Sequence, residues 1–304
     1  MNSDLRHLAL GTQVVTRVAL HSPNGEVSRP AGAVGRIVSV LGDLKHAYHV
    51  AFPDGSRSAF LRRDLEIARH HRNPEPPEPP DWTQWVQYRC IVGSRAFGLD
   101  TETSDTDRRG FYLPPADRHW SLWDLPEQLE NDATQETYWE VQKFVSLALK
   151  ANPNVLECLY TPLVETATPV AEDLLGMREA FLSTLVYQTY NGYVLSQFKR
   201  MQADLRNHGE VRWKHVMHLI RLLLSGISVL EQGEVMVHVG EHKPHLLAIR
   251  RGEVPWAEID AWRLDLHARF DTALTRSRLP ERPDYERVNA FLIRARRSML
   301  EVQA

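Results

Sequence analysis

Two aspartates separated by one residue, Asp105 and Asp107, are the residues of this sequence best suited to chemistry. Residues two apart on a β-strand share a face, so the two carboxylates would converge. Carboxylates are hard oxygen ligands, and Mg²⁺ in proteins is usually held by one or two of them together with substrate phosphates. The pair therefore predicts a metal site for a phosphorylated substrate, although an Asp-rich turn before a strand is a structural alternative.

A glycine–serine step, Gly93-Ser94, precedes the aspartates, with ten residues between Ser94 and Asp105. A β-prone run at residues 88–92 leads into it. Glycine permits a tight turn and lets backbone N–H groups approach a phosphate closely. Ser94 can donate a hydrogen bond to a β- or γ-phosphate oxygen, and Arg95 can add a charge-assisted contact. The step therefore predicts a nucleotide-binding turn.

Basic side chains at two further places could meet the same nucleotide. Arg109 lies two residues past the second aspartate, so on a strand it shares that face and could contact the leaving pyrophosphate. A salt bridge to the acidic pair is the alternative. Lys214, His218 and Arg221 recur at i, i+4 and i+7 on a helix predicted over residues 211–223 and share one stripe. By spacing alone, this stripe is either a solvated face or a phosphate contact.

These features resemble the DNA polymerase β-type nucleotidyltransferase superfamily, whose signature is a Gly-Ser turn followed, after a short loop, by Asp-x-Asp. The resemblance extends from about residue 88 to the C-terminus. The flanking motifs are similar to those of the branch associated with RNA ligases and RNA repair. They are Lys143-Phe144, Asn152-Pro153-Asn154-Val155-Leu156-Glu157, and Lys214-His215 with His218 and Arg221.

The resemblance implies transfer of a nucleotidyl group from an NTP to a hydroxyl acceptor, with RNA in a repair pathway as the acceptor. It implies two metal ions, Mg²⁺ or Mn²⁺, and a third carboxylate on the strand before the helix that contains Lys143. That position indicates Glu136 as a catalytic residue and metal ligand, with Asp132 and Glu140 as nearby alternatives. The resemblance also favours phosphate contact over solvation for the stripe. Asn152 and Glu157 are assigned to helix capping.

The predicted fold class is α+β, in three folded parts. Short strands over residues 11–70 predict an SH3-like small β-barrel spanning 1–71. Five prolines predict an extended linker at 72–81. Residues 82–165 are predicted to form a pol β-type α/β nucleotidyltransferase core. Residues 166–304 are predicted to form a helical domain that closes over the nucleotide.

The predicted N-terminal barrel carries a basic cluster of Arg57, Arg62 and Arg63. Such a cluster allows weak RNA contact, and a protein-contact or solvated face is equally compatible with it. From the resemblance, an RNA ligase or another protein is an expected partner of this barrel.

Composition excludes several other classes of protein. Apolar residues make up 43% and charged residues 25%, which is typical of a globular protein, and a net charge of −3 excludes a polycation that coats nucleic acid. The most apolar run, residues 219–230, is short and is interrupted by Arg221. Charged residues near the N-terminus argue against a signal peptide, and two cysteines without metal-ligand spacing suggest reduced thiols. We therefore expect a cytoplasmic protein with no membrane partner.

Two other functions stay open from the sequence. One is AMPylation of a protein, as in the antitoxin-type minimal nucleotidyltransferases. The other is a scaffold that binds nucleotide or RNA and has lost the third acid and with it the activity.

Overall fold

The structure, a computed structural model, describes residues 8–21, 27–40, 47–68, 78–208 and 212–300. The chain divides into two compact units, Met1–Pro79 and Pro80–Ala304. The division falls within the predicted proline linker, of which residues 72–77 lie outside the described residues. The predicted nucleotidyltransferase core and the predicted helical part together make up the second unit. Among the helices described, none has the length and apolar character needed to cross a membrane.

The first unit is built on an antiparallel sheet with the strand order β6-β5-β4-β1-β7. Its strands are β1 (Gln13–Thr16), β2 (Leu20–His21), β3 (Val27–Arg29), β4 (Val34–Val40), β5 (Ala47–Ala51), β6 (Arg57–Leu61) and β7 (Leu65–Ile67), with β2 and β3 pairing separately. Alternating buried residues such as Val14, Val50 and Phe60 form its core. Across the described ranges the sheet is open, with β6 and β7 at its edges, so the predicted SH3-like barrel is not confirmed.

The second unit contains a five-stranded mixed sheet and ten α-helices among the described residues. The strands are β8 (Val86–Val92), β9 (Asp107–Tyr112), β10 (Gln128–Asn131), β11 (Glu136–Glu140) and β12 (Val164–Ala167). The helices are α1 (Gly93–Phe97), α2 (Ala116–Trp120), α3 (Val141–Leu149), α4 (Pro153–Tyr160), α5 (Pro169–Leu175), α6 (Leu185–His208), α7 (Trp213–Gln232), α8 (Lys243–Arg250), α9 (Trp256–Arg276) and α10 (Tyr285–Ser298). The predicted mixed α+β class is confirmed.

The sheet has the order β10-β11-β9-β8-β12, and only β9 and β11 run parallel. This arrangement puts β9, which begins at Asp107, in the centre of the sheet. Helix α3 packs on one face because its apolar residues recur at helical spacing, and the rings of Phe111 and Phe144 lie 5.2 Å apart. The central strand is therefore fixed by neighbours on both sides and by a helix on one face.

Helix α7 is the central element of the helical part. It is buried along most of its length, including the apolar residues Val216, Leu219, Leu223 and Ile227. It packs between α6 and α9 and also contacts α8. Residues of α7 also line the same cavity as Asp107 at the start of β9, so α7 connects the helical part to the central strands.

Candidate active site

The Gly93 turn and the second aspartate are in direct contact. Strand β8 ends at Val92, which pairs with Asp107, and α1 begins at Gly93. Gly93 has a φ of +68°, and a Cβ there would come within 2.4 Å of the Asp107 Oδ2 atom. Any other residue would be strained in this conformation and would displace the carboxylate. The glycine therefore lets the turn and the carboxylate approach each other.

Both aspartates line one cavity of about 240 Å³, although only Asp107 belongs to a strand and Asp105 lies in the preceding loop. The cavity wall is mostly polar, with small or hydroxyl-bearing residues on one side and basic residues on the other. The polar residues of this wall are Gly93, Ser94, Thr101, Thr103, Ser104, Asp105, Asp107, Lys214, His218 and Arg250.

A second, larger cleft of about 730 Å³ adjoins this cavity. The two spaces share Gly93, Phe97, Asp107, Lys214 and His218. Strands β9, β10 and β11 line one side of the larger cleft, and helices α4, α6 and α7 line the other. The second aspartate therefore lies where the two spaces meet.

Two arginines predicted to contact phosphate have different surroundings. Arg109 lies in the larger cleft, where its Nη1 donates to the Thr137 Oγ1 atom at 2.5 Å. Among the described residues it forms no ion pair with the aspartates, so the alternative of a salt bridge to them is not seen. Arg95 lines neither space, and its Nη2 donates to the Ser104 carbonyl at 2.9 Å. Arg95 therefore supports the loop that carries Asp105.

Glu136, the predicted third carboxylate, is on the wrong face of the sheet. It pairs with Arg108 in the parallel register of β11 and β9, while Thr137 pairs with Arg109. Paired residues share a face and successive residues alternate, so Glu136 lies opposite to Asp107. The structure therefore corrects the prediction that Glu136 is a metal ligand beside the aspartates. The two acids that do line the cleft with Asp107 are Glu130 and Glu157.

Arg221 also differs from its predicted surroundings, because it is buried rather than part of an exposed stripe. Its Nη1 donates to the Glu157 Oε1 atom at 2.5 Å, and each side chain is only 5% exposed. Its guanidinium carbon lies 3.7 Å from the centroid of the Phe97 ring. Glu157 is thus an ion-pair partner and not a cap, whereas Asn152 caps α4 as predicted. Arg221 connects α7 to α4 and supports the helix that follows the Gly93 turn.

Of the predicted stripe, Lys214 and His218 reach both spaces, but only Lys214 is exposed. Burial, together with the neighbouring charges of Arg221 and Lys214, lowers the pKa of His218 to about 3. The imidazole is therefore neutral near pH 7 and can offer one hydrogen-bond donor and one acceptor.

Arg250 is a cavity residue that the sequence analysis missed. It ends α8, its Nη1 donates to the Leu99 carbonyl at 2.9 Å, and it lines the smaller cavity opposite the aspartates. Pro244, in the first turn of α8, is the available sequence signal for a helix start.

The arrangement suits the binding of a polyphosphate together with a divalent cation. Two carboxylates line the same small polar cavity as Lys214 and Arg250, and small residues leave the backbone of the turn accessible. Among the described residues, no group of three or more His, Cys, Asp or Glu side chains could hold a metal ion by itself. A cation at the aspartates would therefore take its remaining oxygen ligands from water or from a substrate.

Two comparisons with known proteins identify relatives of this chain. A family model described as the RNA repair pathway DNA polymerase beta family matches residues 59–294. The uncharacterized protein YcgL of Bacillus subtilis (strain 168) is 29% identical over 153 residues, which are 49% of this chain and 57% of that protein. The family match confirms the resemblance inferred from the motifs.

Proposed function

Because this chain belongs to the RNA repair pathway DNA polymerase beta family, we propose that it is a nucleotidyltransferase that moves an NMP group from an NTP to a hydroxyl of RNA. One observation carries the proposal. The Gly93 turn, both aspartates and the basic residues Lys214 and Arg250 line a single cavity, although they come from four separate segments of the chain.

In this proposal the smaller cavity holds the triphosphate. Ser94 donates to a phosphate oxygen, while Lys214 and Arg250 neutralise the charge of the departing pyrophosphate. Asp105 and Asp107 would hold Mg²⁺ or Mn²⁺ together with phosphate oxygens. The close approach of the Asp107 carboxylate to Gly93 fits this role, because it brings the carboxylate next to the turn that would bind the phosphates. When bound, the cation supplies charge neutralisation at the reacting phosphate.

The reaction is an in-line displacement at the α-phosphorus. The acceptor hydroxyl oxygen forms the new bond to phosphorus, the bond to the β-phosphate oxygen breaks, and its electron pair leaves with pyrophosphate. The hydroxyl proton passes to water. The contribution of the chain is positioning and charge stabilisation, which account for most of the catalysis in phosphoryl transfer.

The scaffold alternative has one observation in its favour. Glu136 does not accompany the aspartates, and the part of the chain that the structure describes offers no three-acid cluster. Two carboxylates with substrate phosphates are nevertheless a common way of holding Mg²⁺. The two functions therefore differ in a measurable way, because a scaffold binds nucleotide without turning it over.

The test is transfer of label from an α-phosphate-labelled NTP, with a single-stranded RNA and Mg²⁺ or Mn²⁺ present. Asp107→Asn should reduce labelling of RNA by at least about 100-fold, which is the effect of losing several kcal/mol of charge stabilisation. Glu136→Gln is the matched control and should keep near-normal turnover because this side chain lies on the other face.

Three results would contradict the proposal. Nucleotide binding without turnover by the unmodified chain would support a scaffold. Label on protein and none on RNA would indicate AMPylation. A strong loss with Glu136→Gln and none with Asp107→Asn would mean that the reaction takes place elsewhere.

A further inference from the structure

We infer that the larger cleft is the acceptor subsite and that it binds the end of a single RNA strand, with α6 as the wall that contacts its bases. The inference rests on the proposed function. It adds where the acceptor lies, which chemical features recognise it, and which side chains separate acceptor binding from NTP binding.

The first argument is the geometry of in-line displacement. The attacking oxygen and the leaving oxygen must lie on opposite sides of the phosphorus. Asp107 lines both spaces, so a phosphorus beside its carboxylate lies at their junction. If pyrophosphate leaves into the small cavity toward Lys214 and Arg250, the acceptor hydroxyl must approach from the larger cleft.

The second argument is the charge of the cleft wall. Arg221 and Glu157 neutralise each other within the wall. Among the described lining residues, two further cations are Arg109, which donates to the uncharged hydroxyl of Thr137, and the exposed residue Lys214. Apart from Asp107, Glu130 is the one lining carboxylate left to oppose them in the described part of the chain. This excess of positive charge suits a phosphate backbone.

The third argument is the character of α6, whose residues Tyr193, Ser196 and Gln197 line the cleft. The Tyr193 hydroxyl accepts a hydrogen bond from the Asn152 Nδ2 atom at 3.0 Å, which anchors a partly buried ring in the wall. Gln197 follows one helical turn later on the same side. Its Oε1 atom is buried and has no hydrogen-bond partner within the described part of the chain. Such an acceptor can take a hydrogen bond from a base amino group or a 2′-hydroxyl.

An aromatic ring, an unpaired amide oxygen and exposed cations along one cleft are the features with which proteins bind single-stranded nucleic acid. A protein segment carrying a hydroxyl group would not require this excess of positive charge. The observations therefore favour a single RNA strand over a protein acceptor.

Two binding measurements on the full chain test the inference. One is the fluorescence anisotropy of a 5′-labelled single-stranded oligoribonucleotide, and the other is calorimetry with a non-hydrolysable ATP analogue and Mg²⁺. Tyr193→Ala should weaken RNA binding about tenfold, as loss of one stacked base does, and should change ATP affinity less than about twofold. Tyr193→Phe keeps the ring and should bind RNA nearly as the unmodified chain does.

Two further variants test the other features of the cleft and guard against a folding defect in Tyr193→Ala. Gln197→Leu removes an oxygen that has no partner in the described structure, so it should keep the melting temperature and still weaken RNA binding severalfold. Arg212→Ala should reduce the slope of log K against log salt by about 0.7, the value for one phosphate contact on a single strand. Lys199→Ala, on the exposed side of α6 outside the cleft, is the matched control and should change neither.

The outcomes separate this inference from the proposed function. If the unmodified chain transfers label to RNA and the Tyr193 and Gln197 variants bind RNA normally, the acceptor lies elsewhere and only this inference fails. If those variants lose ATP affinity as much as RNA affinity, the cleft holds the nucleoside of the NTP instead. If the unmodified chain transfers no label to any acceptor, the proposed function itself fails.

Discussion

Replacing Arg221 by alanine should destabilise the fold far more than it weakens nucleotide binding. The family resemblance favours a phosphate contact for the stripe of Lys214, His218 and Arg221, and such a contact from Arg221 would be worth about 1.5–3 kcal/mol of NTP affinity. In the structure Arg221 and Glu157 instead form a 2.5 Å ion pair, with both side chains 5% exposed. Removing one partner of such a pair leaves a buried charge uncompensated and costs about 3–5 kcal/mol of the free energy of unfolding.

The assay is urea denaturation followed by tryptophan fluorescence. With an m value of about 2–3 kcal/mol per molar urea, the unfolding midpoint of Arg221→Ala should fall by about 1–2 M. Arg251→Ala is the matched control because its ion pair with Glu253 is more than half exposed on both sides, so its loss should cost less than about 1 kcal/mol. The double variant Arg221→Met/Glu157→Met removes both charges and should recover most of the lost stability.

Two results would refute this reasoning. If Arg221→Ala keeps its midpoint and loses NTP affinity, then Arg221 is the phosphate ligand that the family resemblance favoured. If the double variant is no more stable than Arg221→Ala, the loss comes from missing packing against Phe97 rather than from an unpaired Glu157 carboxylate.

Three further predictions follow from the site. Gly93→Ala should lower both the melting temperature and the transfer rate, because its methyl group would meet a carboxylate. Gly233→Ala is the control, because Gly233 has a similar φ of +72° and no atom lies within 4 Å of the new Cβ. A thermal melt of this control therefore reports backbone strain alone. Equal losses of melting temperature in the two variants would contradict the carboxylate contact. Arg250→Ala should weaken NTP binding at least about tenfold by calorimetry, since it removes a charged hydrogen-bond donor from the small cavity, whereas the neighbouring Arg251→Ala should not. Lowering the pH from about 6.5 towards 3 should destabilise the fold, because His218 takes up a proton in the unfolded chain while its pKa of about 3 keeps it neutral in the native state. His218→Gln should flatten the dependence of the melting temperature on pH over that range, and an unchanged profile would mean that other groups dominate it.

Local signals in the sequence were sufficient for the elements around the Gly93 turn. The strand predicted at residues 88–92 lies within β8, and the helix expected to contain Lys143 corresponds to α3. The contact of the turn with Asp107 depends on the pairing of two strands that are adjacent in the chain. Such short-range features follow from glycine chemistry and from the alternation of apolar residues.

The errors concern properties that depend on distant parts of the chain. Whether Glu136 faces the cavity depends on the register between β11 and β9, and a left-handed residue, Gln135 with a φ of +55°, comes just before this strand. Helical spacing showed which residues share a stripe on α7, but the burial of Arg221 depends on Glu157, which is 64 positions away. A single sequence contains no direct signal for either pairing.

The contact between Arg250 and Leu99 has a consequence for the synthesis of the protein, since it joins residues 151 positions apart. Ribosomes add about 5–20 residues per second, so Arg250 is added about 8–30 s after Leu99. For most of that interval the Gly93 turn also lacks His218, which lines the same cavity, and Arg221, which packs on Phe97. A nascent chain would therefore acquire nucleotide binding only late in translation.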